Sequence, residues 1–499
     1  MEFTQVCRSL TDMAGASYVD GACRARAFLT GEPLGRLQSL AREPVDLWPS
    51  AMQSRLHALL PRVGQRVIEP VQGSARGGST RAFTAATRLA AAPLAGFGWY
   101  RVGEDGRLCV ISKSEHYHVA LGHSFPGYGL IERARALGIP NATHNNTRGH
   151  LTRLLEEELL TAANSGGGGL DCVLNLETGS LALEAALKLV LARFHPHAEG
   201  VAAPPYHGRV PVILVIGDDD GGLTANYHGT TVLTQTMRGL WPTLSVGLER
   251  AGLFRVRAVR PNCSADLERA FREENTGECR VAALFHEIVM MNYGARVLSE
   301  AFLQHAYALC REHDAVTVVD EIQSCAWYEG GFLLRPYGIE PDMVALGKGF
   351  PGGEYPASRL LFRSRFDVLP QFGALVTNGQ EELSSLACLI TLTWLRANGA
   401  AITANGQLIE QNLRHLSQAF PHVLEGVEGR GHLLGLRFRD LSRGRAFAER
   451  LNEAGYDLSV QTYKATCPPV ALCKLPIIAD DALIEAFTAA CREALEKAD

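Results

Sequence analysis

A layered α/β fold built on a mostly parallel sheet is what this sequence predicts, and three observations predict it. Ala315-Val316-Thr317-Val318-Val319 is a short β-branched run suited to a strand buried on both faces, and it stops abruptly at Asp320-Glu321. Met343-Val344-Ala345-Leu346 is a second such run and ends in Gly347-Lys348-Gly349. Leu183, Ala186, Leu187, Val190, Leu191 and Phe194 recur at the three and four spacing of an amphipathic helix, the kind of element that covers such a sheet. Parallel strands that finish on charged residues place them in the crevice at their carboxyl ends, where open α/β sheets bind ligands. Asp320 and Lys348 are thereby expected to face one site.

Size and composition bound the rest. The 499 residues suffice for about three domains, and 46% hydrophobic content allows large cores. A net charge of -5, mixed in sign, shows no basic patch of the nucleic-acid-binding type and no single-sign tail. Twelve cysteines without C-x-x-C pairing fit a reducing compartment better than a disulfide framework. MEFTQVCRSLTDMAG has neither a basic nor an apolar signal region, and no run approaches 18 apolar residues. The expectation is a cytoplasmic protein with no membrane and no nucleic-acid partner.

An acid and a lysine at neighbouring strand ends suit pyridoxal phosphate (PLP) chemistry. The lysine forms a Schiff base with the cofactor aldehyde, and the aspartate keeps the pyridine nitrogen protonated so that the ring withdraws electrons. The blocks V-V-D-E-I-Q, Y-G-I-E-P-D and A-L-G-K-G resemble the signature of the class III aminotransferases, a PLP-dependent family of fold type I. That resemblance implies that Lys348 is the Schiff-base lysine and Asp320 the partner of the pyridinium nitrogen. It also implies that Ile322 lies under the ring and that Gln323 donates to the ring's phenolic oxygen.

Taken in order, residues 1–95 are rich in Ala, Arg and Leu at helical spacing and read as a helical N-terminal extension, with a Gly/Ser-rich connector at 72–79. Residues 96–150 read as the N-terminal part of a small domain and dimer interface, with L-G-H-S-F-P at Leu121 to Pro126 resembling the family's crossing segment; His123 there reads as a backbone-ordering histidine. Residues 151–385 form the expected large PLP-binding domain. A helix from His150 to Ala163 leads to a flexible Gly166 to Gly169 connector, a strand over Asp171 to Asn175, and a Glu177-Thr178-Gly179-Ser180 turn that opens a helix. A helix start offers unpaired N–H groups and a positive dipole end, which stabilise an anion. E-T-G-S-L-A-L-E-A-A-L-K resembles the family block that holds the PLP phosphate, which assigns that role to Thr178, Gly179 and Ser180.

Next come a strand over Pro211 to Ile216 and a loop with Asp218, Asp219 and Asp220, whose spacing is not that of a calcium loop. N-Y-H-G-T-T resembles the family's Y-H-G-R-T, which puts the Tyr227 ring on the pyridine. Glu287 falls at the family's substrate-side glutamate. Cys325-Ala326-Trp327-Tyr328-Glu329 replaces the usual F-G-R-T-G, making the expected pocket more aromatic and less cationic; Cys325 reads as a small buried residue. Thr377 matches the threonine that reaches across the dimer to the other subunit's phosphate, so a homodimer with shared sites is implied, although Glu381-Glu382 stands where the family carries Asn-Pro. Residues 386–499 read as a C-terminal small domain of helix, mixed sheet and closing helix. V-E-G-R-G-H-L-L-G resembles the family segment whose arginine forks a substrate carboxylate, which points to Arg430. The resemblance implies transfer of an amino group between a small-molecule amino donor and an oxo acceptor. An aminomutase, epimerase or lyase on the same fold is the alternative, and a non-catalytic scaffold the third reading.

Overall fold

In the computed structural model, residues 2–75, 77–86, 92–144, 147–461 and 467–497 are described; Arg76 of the Gly/Ser connector lies outside them. Residues 2–75 are mainly helical: α1 (Leu10–Ala14), α2 (Ala16–Thr30), α3 (Leu34–Arg42) and α4 (Ser50–Leu59). Ser9 starts α1 with a capping box, its hydroxyl accepting from Asp12 N while the Asp12 carboxylate accepts from Ser9 N. A three-stranded antiparallel sheet follows: β1 (Pro93–Phe97), β2 (Tyr100–Gly103) and β3 (Leu108–Val110).

The central sheet has seven strands: β4 (Cys172–Leu176), β5 (Val210–Ile216), β6 (Arg255–Val259), β7 (Cys279–His286), β8 (Val316–Asp320), β9 (Met343–Leu346) and β10 (Ser358–Phe362). Its spatial order is β4-β10-β9-β8-β7-β5-β6, and only β10 runs against the others. Helices α5 (His150–Ala163), α6 (Gly179–Leu191) and α7 (Glu300–Glu312) belong to this layer, as does α8 (Glu382–Ala397), which packs on α5.

Strand periodicity explains why the apolar runs are continuous. Val316 and Val318 of β8 pack in the cluster with Ala182, Leu183 and Ala186 of α6, whereas Val319 points to the other cluster, with Leu155 of α5 and Leu386 of α8. A sheet covered on both faces needs an apolar residue at every position.

The C-terminal portion comprises α9 (Gly399–Ala419), β11 (Leu424–Arg430), β12 (Leu433–Phe438), α10 (Leu441–Glu453), β13 (Val470–Cys473) and α11 (Asp481–Glu496), with β11-β12-β13 antiparallel. Backbone bonds tie it to the segment after β3: Lys474 N donates to Ser112 O at 2.8 Å and Ile477 N to Ala120 O at 2.9 Å. Among the described residues, no single helix is long and apolar enough to cross a membrane.

The N-terminal helices dock on α5 and α8, where the Tyr18 ring stacks on His150 at 4.3 Å and Phe3 lies 5.2 Å from Trp394. Glu382, at the departure from the expected Asn-Pro, has a local task. Its buried carboxylate accepts from Leu151 N at 2.9 Å, Thr152 N at 3.1 Å and Thr152 Oγ1 at 2.7 Å, closing the open end of α5. Glu382→Ala leaves these buried donors unpaired and is expected to cost about 1–3 kcal/mol, read as a lower urea midpoint with unchanged far-ultraviolet circular dichroism.

Candidate active site

In β8 and β9, Asp320 sits opposite Ala345, so the acid lies beside the strand whose continuation reaches Lys348 three residues later. Asp320 and Glu321 have opposite fates because successive strand residues point to opposite sides. Asp320 Oδ1 accepts from Ile322 N at 3.1 Å, and Oδ2 lies 3.0 Å from Nδ1 of the buried His228. A carboxylate only accepts, so Nδ1 carries the proton and donates. The Glu321 carboxyl turns away from Asp320's partners and accepts from Leu333 N, Leu334 N and Ser324 Oγ. Burial pushes its pKa up to about 7 against the pull of those hydrogen bonds. Glu321 therefore pins the loop that follows Gln323, and Asp320 is the member of the pair left facing the site.

Lys348 stands in left-handed backbone, with φ +44°, and its half-buried side chain lines a cavity of about 260 Å³. Loss of water pushes its amine below the usual lysine range, opposed by the negative charges of Glu287 and Asp320. Asp320, Ile322, Gln323, Tyr227, Thr178, Gly179 and Ser180 line the same cavity, so the structure brings together seven of the sequence-predicted residues around Lys348.

At one end, α6 presents its N-terminus. Thr178 is the N-cap, its hydroxyl accepting from Leu181 N, and the first N–H groups of the helix lie outside the helical ladder. Ser180 Oγ accepts from Thr230 N at 3.1 Å, which closes the turn beneath. Gly179 is required by space: a Cβ there would come 2.4 Å from Ile322 Cδ1, driving that side chain out of place. Tyr227 is half-buried, with the Arg238 guanidinium 5.1 Å from its ring centroid on the side chain's outer flank.

The layer behind Lys348 was not foreseen. Tyr117 presents its ring to Lys348 Nζ at 4.7 Å and to Lys474 Nζ at 3.3 Å. Lys474 is buried, its amine is driven well below the usual range chiefly by desolvation and then by the Lys348 charge, and no carboxylate among the described residues pairs with it. Tyr117 ends a run of four left-handed residues, Ser114 to Tyr117, with φ from 46° to 73° and no glycine. His118, the next residue, lines the cavity. A single lysine inside the apolar stretch L-C-K-L-P-I-I was the available signal for Lys474; His228 lay in the motif quoted for Tyr227.

Other predicted residues sit elsewhere. Gln323 Nε2 donates to Glu287 Oε1 at 2.7 Å, so the two lie together on the β7 side, both buried. Thr377 is exposed and does not line the Lys348 cavity of its own chain. Arg430 faces a different cavity, between the Trp327 to Tyr337 loop and β11. Its guanidinium lies 3.4 Å from Glu300 and 5.2 Å from the Tyr337 ring centroid. Cys325 is fully buried, and His123 exchanges backbone bonds with Gly98. Asp218 accepts from Gly222 N and Asp220 N within its own turn, and no metal-ligating cluster occurs among the described residues.

Comparisons with known proteins agree with this geometry. The aminotransferase class-III family model matches residues 96–495. A diaminobutyrate–2-oxoglutarate transaminase of Vibrio cholerae is 27% identical over 307 residues, 59% of this chain and 67% of that protein. An ornithine aminotransferase of Bacillus subtilis is 26% identical over 325 residues, 61% of this chain and 71% of that protein. Among solved structures, an ornithine aminotransferase of Toxoplasma gondii superposes with a TM-score of 0.65 at 21% identity, covering 85% of this chain and 93% of that one. An adenosylmethionine-8-amino-7-oxononanoate aminotransferase of Methanocaldococcus jannaschii gives 0.66 at 20% identity, covering 90% and 100%. With the acid, the lysine and the helix start gathered at one cavity, the chain belongs to the class-III aminotransferases, and it is a PLP-dependent aminotransferase of fold type I.

Proposed function

We propose that Lys348 is the residue that carries the cofactor and moves the proton, with Asp320 and the start of α6 holding the two ends of the ring. The observation that carries this reading is the convergence of Lys348, Asp320 and the Thr178 N-cap on one cavity. The residues suit PLP chemically: a dehydrated amine, a carboxylate fixed by two donors, a helix N-terminus closed by Ser180, and a glycine where a side chain would crowd the floor. When bound, PLP supplies an aldehyde and a ring that withdraws electrons from the substrate carbon.

The chain's own groups do the rest. Lys348 would hold the cofactor through Nζ, and the same amine, when free, would take a proton from one substrate carbon and return it to another. His228 fixes the Asp320 carboxylate, Tyr227 and Ile322 hold the ring flat, and Gln323 with Glu287 bounds the substrate side. Lys474 is buried behind Tyr117, outside the residues that line the cavity, so its influence on the site passes through Tyr117 and Lys348. An oxo-acid acceptor such as the 2-oxoglutarate in the name of the Vibrio relative would serve one half-reaction. Donors carrying a primary amine, as named for the ornithine, diaminobutyrate and putrescine relatives, suit the opposite half-reaction. The exposed Thr377 supports a homodimer in which it completes the partner's site, and twelve unpaired cysteines support a reducing, cytoplasmic location.

Borohydride reduction of the holoenzyme is expected to fix the cofactor on a peptide containing Lys348, and Lys348→Ala should show neither this adduct nor turnover; an adduct at another lysine would refute the assignment. Since burial lowers the Lys348 pKa, its reactive neutral form appears at lower pH than for a free lysine. The rate at which apoenzyme takes up PLP should therefore rise with pH and level off below the ordinary lysine range, whereas an inflection at that range would contradict the buried amine.

A further inference from the structure

A second and larger cavity, of about 1390 Å³, opens on the other side of the loop that follows Gln323, between α5, α9, the Trp327 to Tyr337 loop and β11. It shares no lining residue with the cavity at Lys348. Tyr328, half-buried, and Tyr337, buried beneath the Arg430 guanidinium, line it, and the Tyr328 hydroxyl, bonded at 2.8 Å to Arg430 O, ties Tyr328 to the strand carrying Arg430.

The charges are unequal in how firmly they are held. Arg414 makes two bonds to Glu410, at 3.1 and 2.8 Å, and Arg396 pairs with Glu158. Arg335 bonds the Ala163 and Gly167 carbonyls, and of the three arginines paired with a carboxylate here Arg430 is held most loosely: a single contact to Glu300 at 3.4 Å, with side chains 40% and 53% exposed. A pair of that kind is worth about 0–1 kcal/mol, so a ligand anion can displace Glu300 at little cost. The guanidinium is meanwhile already positioned over Tyr337. On the same wall, His432 is buried, with Nε2 2.9 Å from Ile402 O. A carbonyl only accepts, so Nε2 carries the proton and Nδ1 is a lone pair, and Nδ1 has no partner among the described residues. Burial keeps the ring neutral by pushing its pKa down to about 4.

We propose that this cavity is a binding site for a planar aromatic carboxylate, separate from the catalytic cavity. The carboxylate takes the Arg430 fork in place of Glu300, the ring lies on Tyr328 beside the guanidinium that Tyr337 supports, and a hydroxyl or N–H on the ring donates to His432 Nδ1. The volume exceeds the roughly 300–1,000 Å³ of most small-molecule sites, so a fused two-ring acid is accommodated. The proposal stands on this cavity alone and does not depend on the roles given to Lys348 or Lys474.

The test is calorimetric titration of the holoenzyme with 6-hydroxy-2-naphthoate, beside 2-naphthol and cyclohexanecarboxylate. Expected are one saturable site per chain for the naphthoate, at least tenfold weaker binding of both comparison compounds, and at least tenfold loss in Arg430→Met and Tyr337→Leu. Glu300→Gln releases the arginine and should tighten binding, which keeps the test decisive if Arg430→Met fails to fold. Binding should persist in Lys348→Ala. Absence of saturable binding, affinity unchanged in Arg430→Met or Glu300→Gln, or loss of binding in Lys348→Ala would overturn the proposal, the last by placing the probe in the catalytic cavity.

Discussion

A dehydrated amine within reach of two carboxylates is the constraint on which the rest of this structure depends. An amine in water keeps its proton at neutral pH; taken into a cavity, it gives the proton up more readily, unless negative charge nearby restores the balance. Here burial outweighs Glu287 and Asp320, which leaves Lys348 the more nucleophilic. Keeping that balance requires fixed charges, and the fixing is done by parallel strands in register and by His228 behind the carboxylate. Strand register is rigid because a slip of one residue would exchange Asp320 for Glu321, which is committed to holding the next loop.

Much of the fold and half of the site were legible in the chain itself. The β8 and β9 runs had one composition each, bounded by charge, and folding two-sided burial into a strand leaves little ambiguity; Val316–Asp320 and Met343–Leu346 follow. The helix opening at Gly179 was legible for a similar reason, since N-cap chemistry and apolar spacing are local. Residues whose partners lie far along the chain were not. Lys474 meets Tyr117 across more than three hundred residues, and nothing in either neighbourhood announces the other. Arg430 shows the same limitation: the turn that carries it is recognisable locally, while the cavity it faces is set by how the β11 strand packs beside the Trp327 loop.

Departures from the family pattern were legible as departures but not as roles. Glu381-Glu382 looked like a lost Asn-Pro turn, yet Glu382 became the acceptor that closes α5. The replacement of F-G-R-T-G by Cys325 to Glu329 suggested an aromatic catalytic pocket. In the structure Tyr328 instead reaches Arg430 O, and Trp327 stands edge-on to Tyr117 at 6.5 Å, so the change reshapes the wall between two cavities.

The turn from Ser114 to Tyr117 carries a cost of about 1–2 kcal/mol for each residue held left-handed. None of the four is glycine, and the local support is the bond from Val119 N to Ser114 O and the ion pair of Glu115 with Arg101. Further support comes from the far end of the chain, where Lys474 N meets Ser112 O and Ser114 Oγ donates to Lys474 O at 2.6 Å. Synthesis must therefore have passed Lys474 before this turn can settle, and a chain cut short ahead of Lys474 would keep the acid, the lysine and the helix start yet lack the clasp that holds the turn behind them.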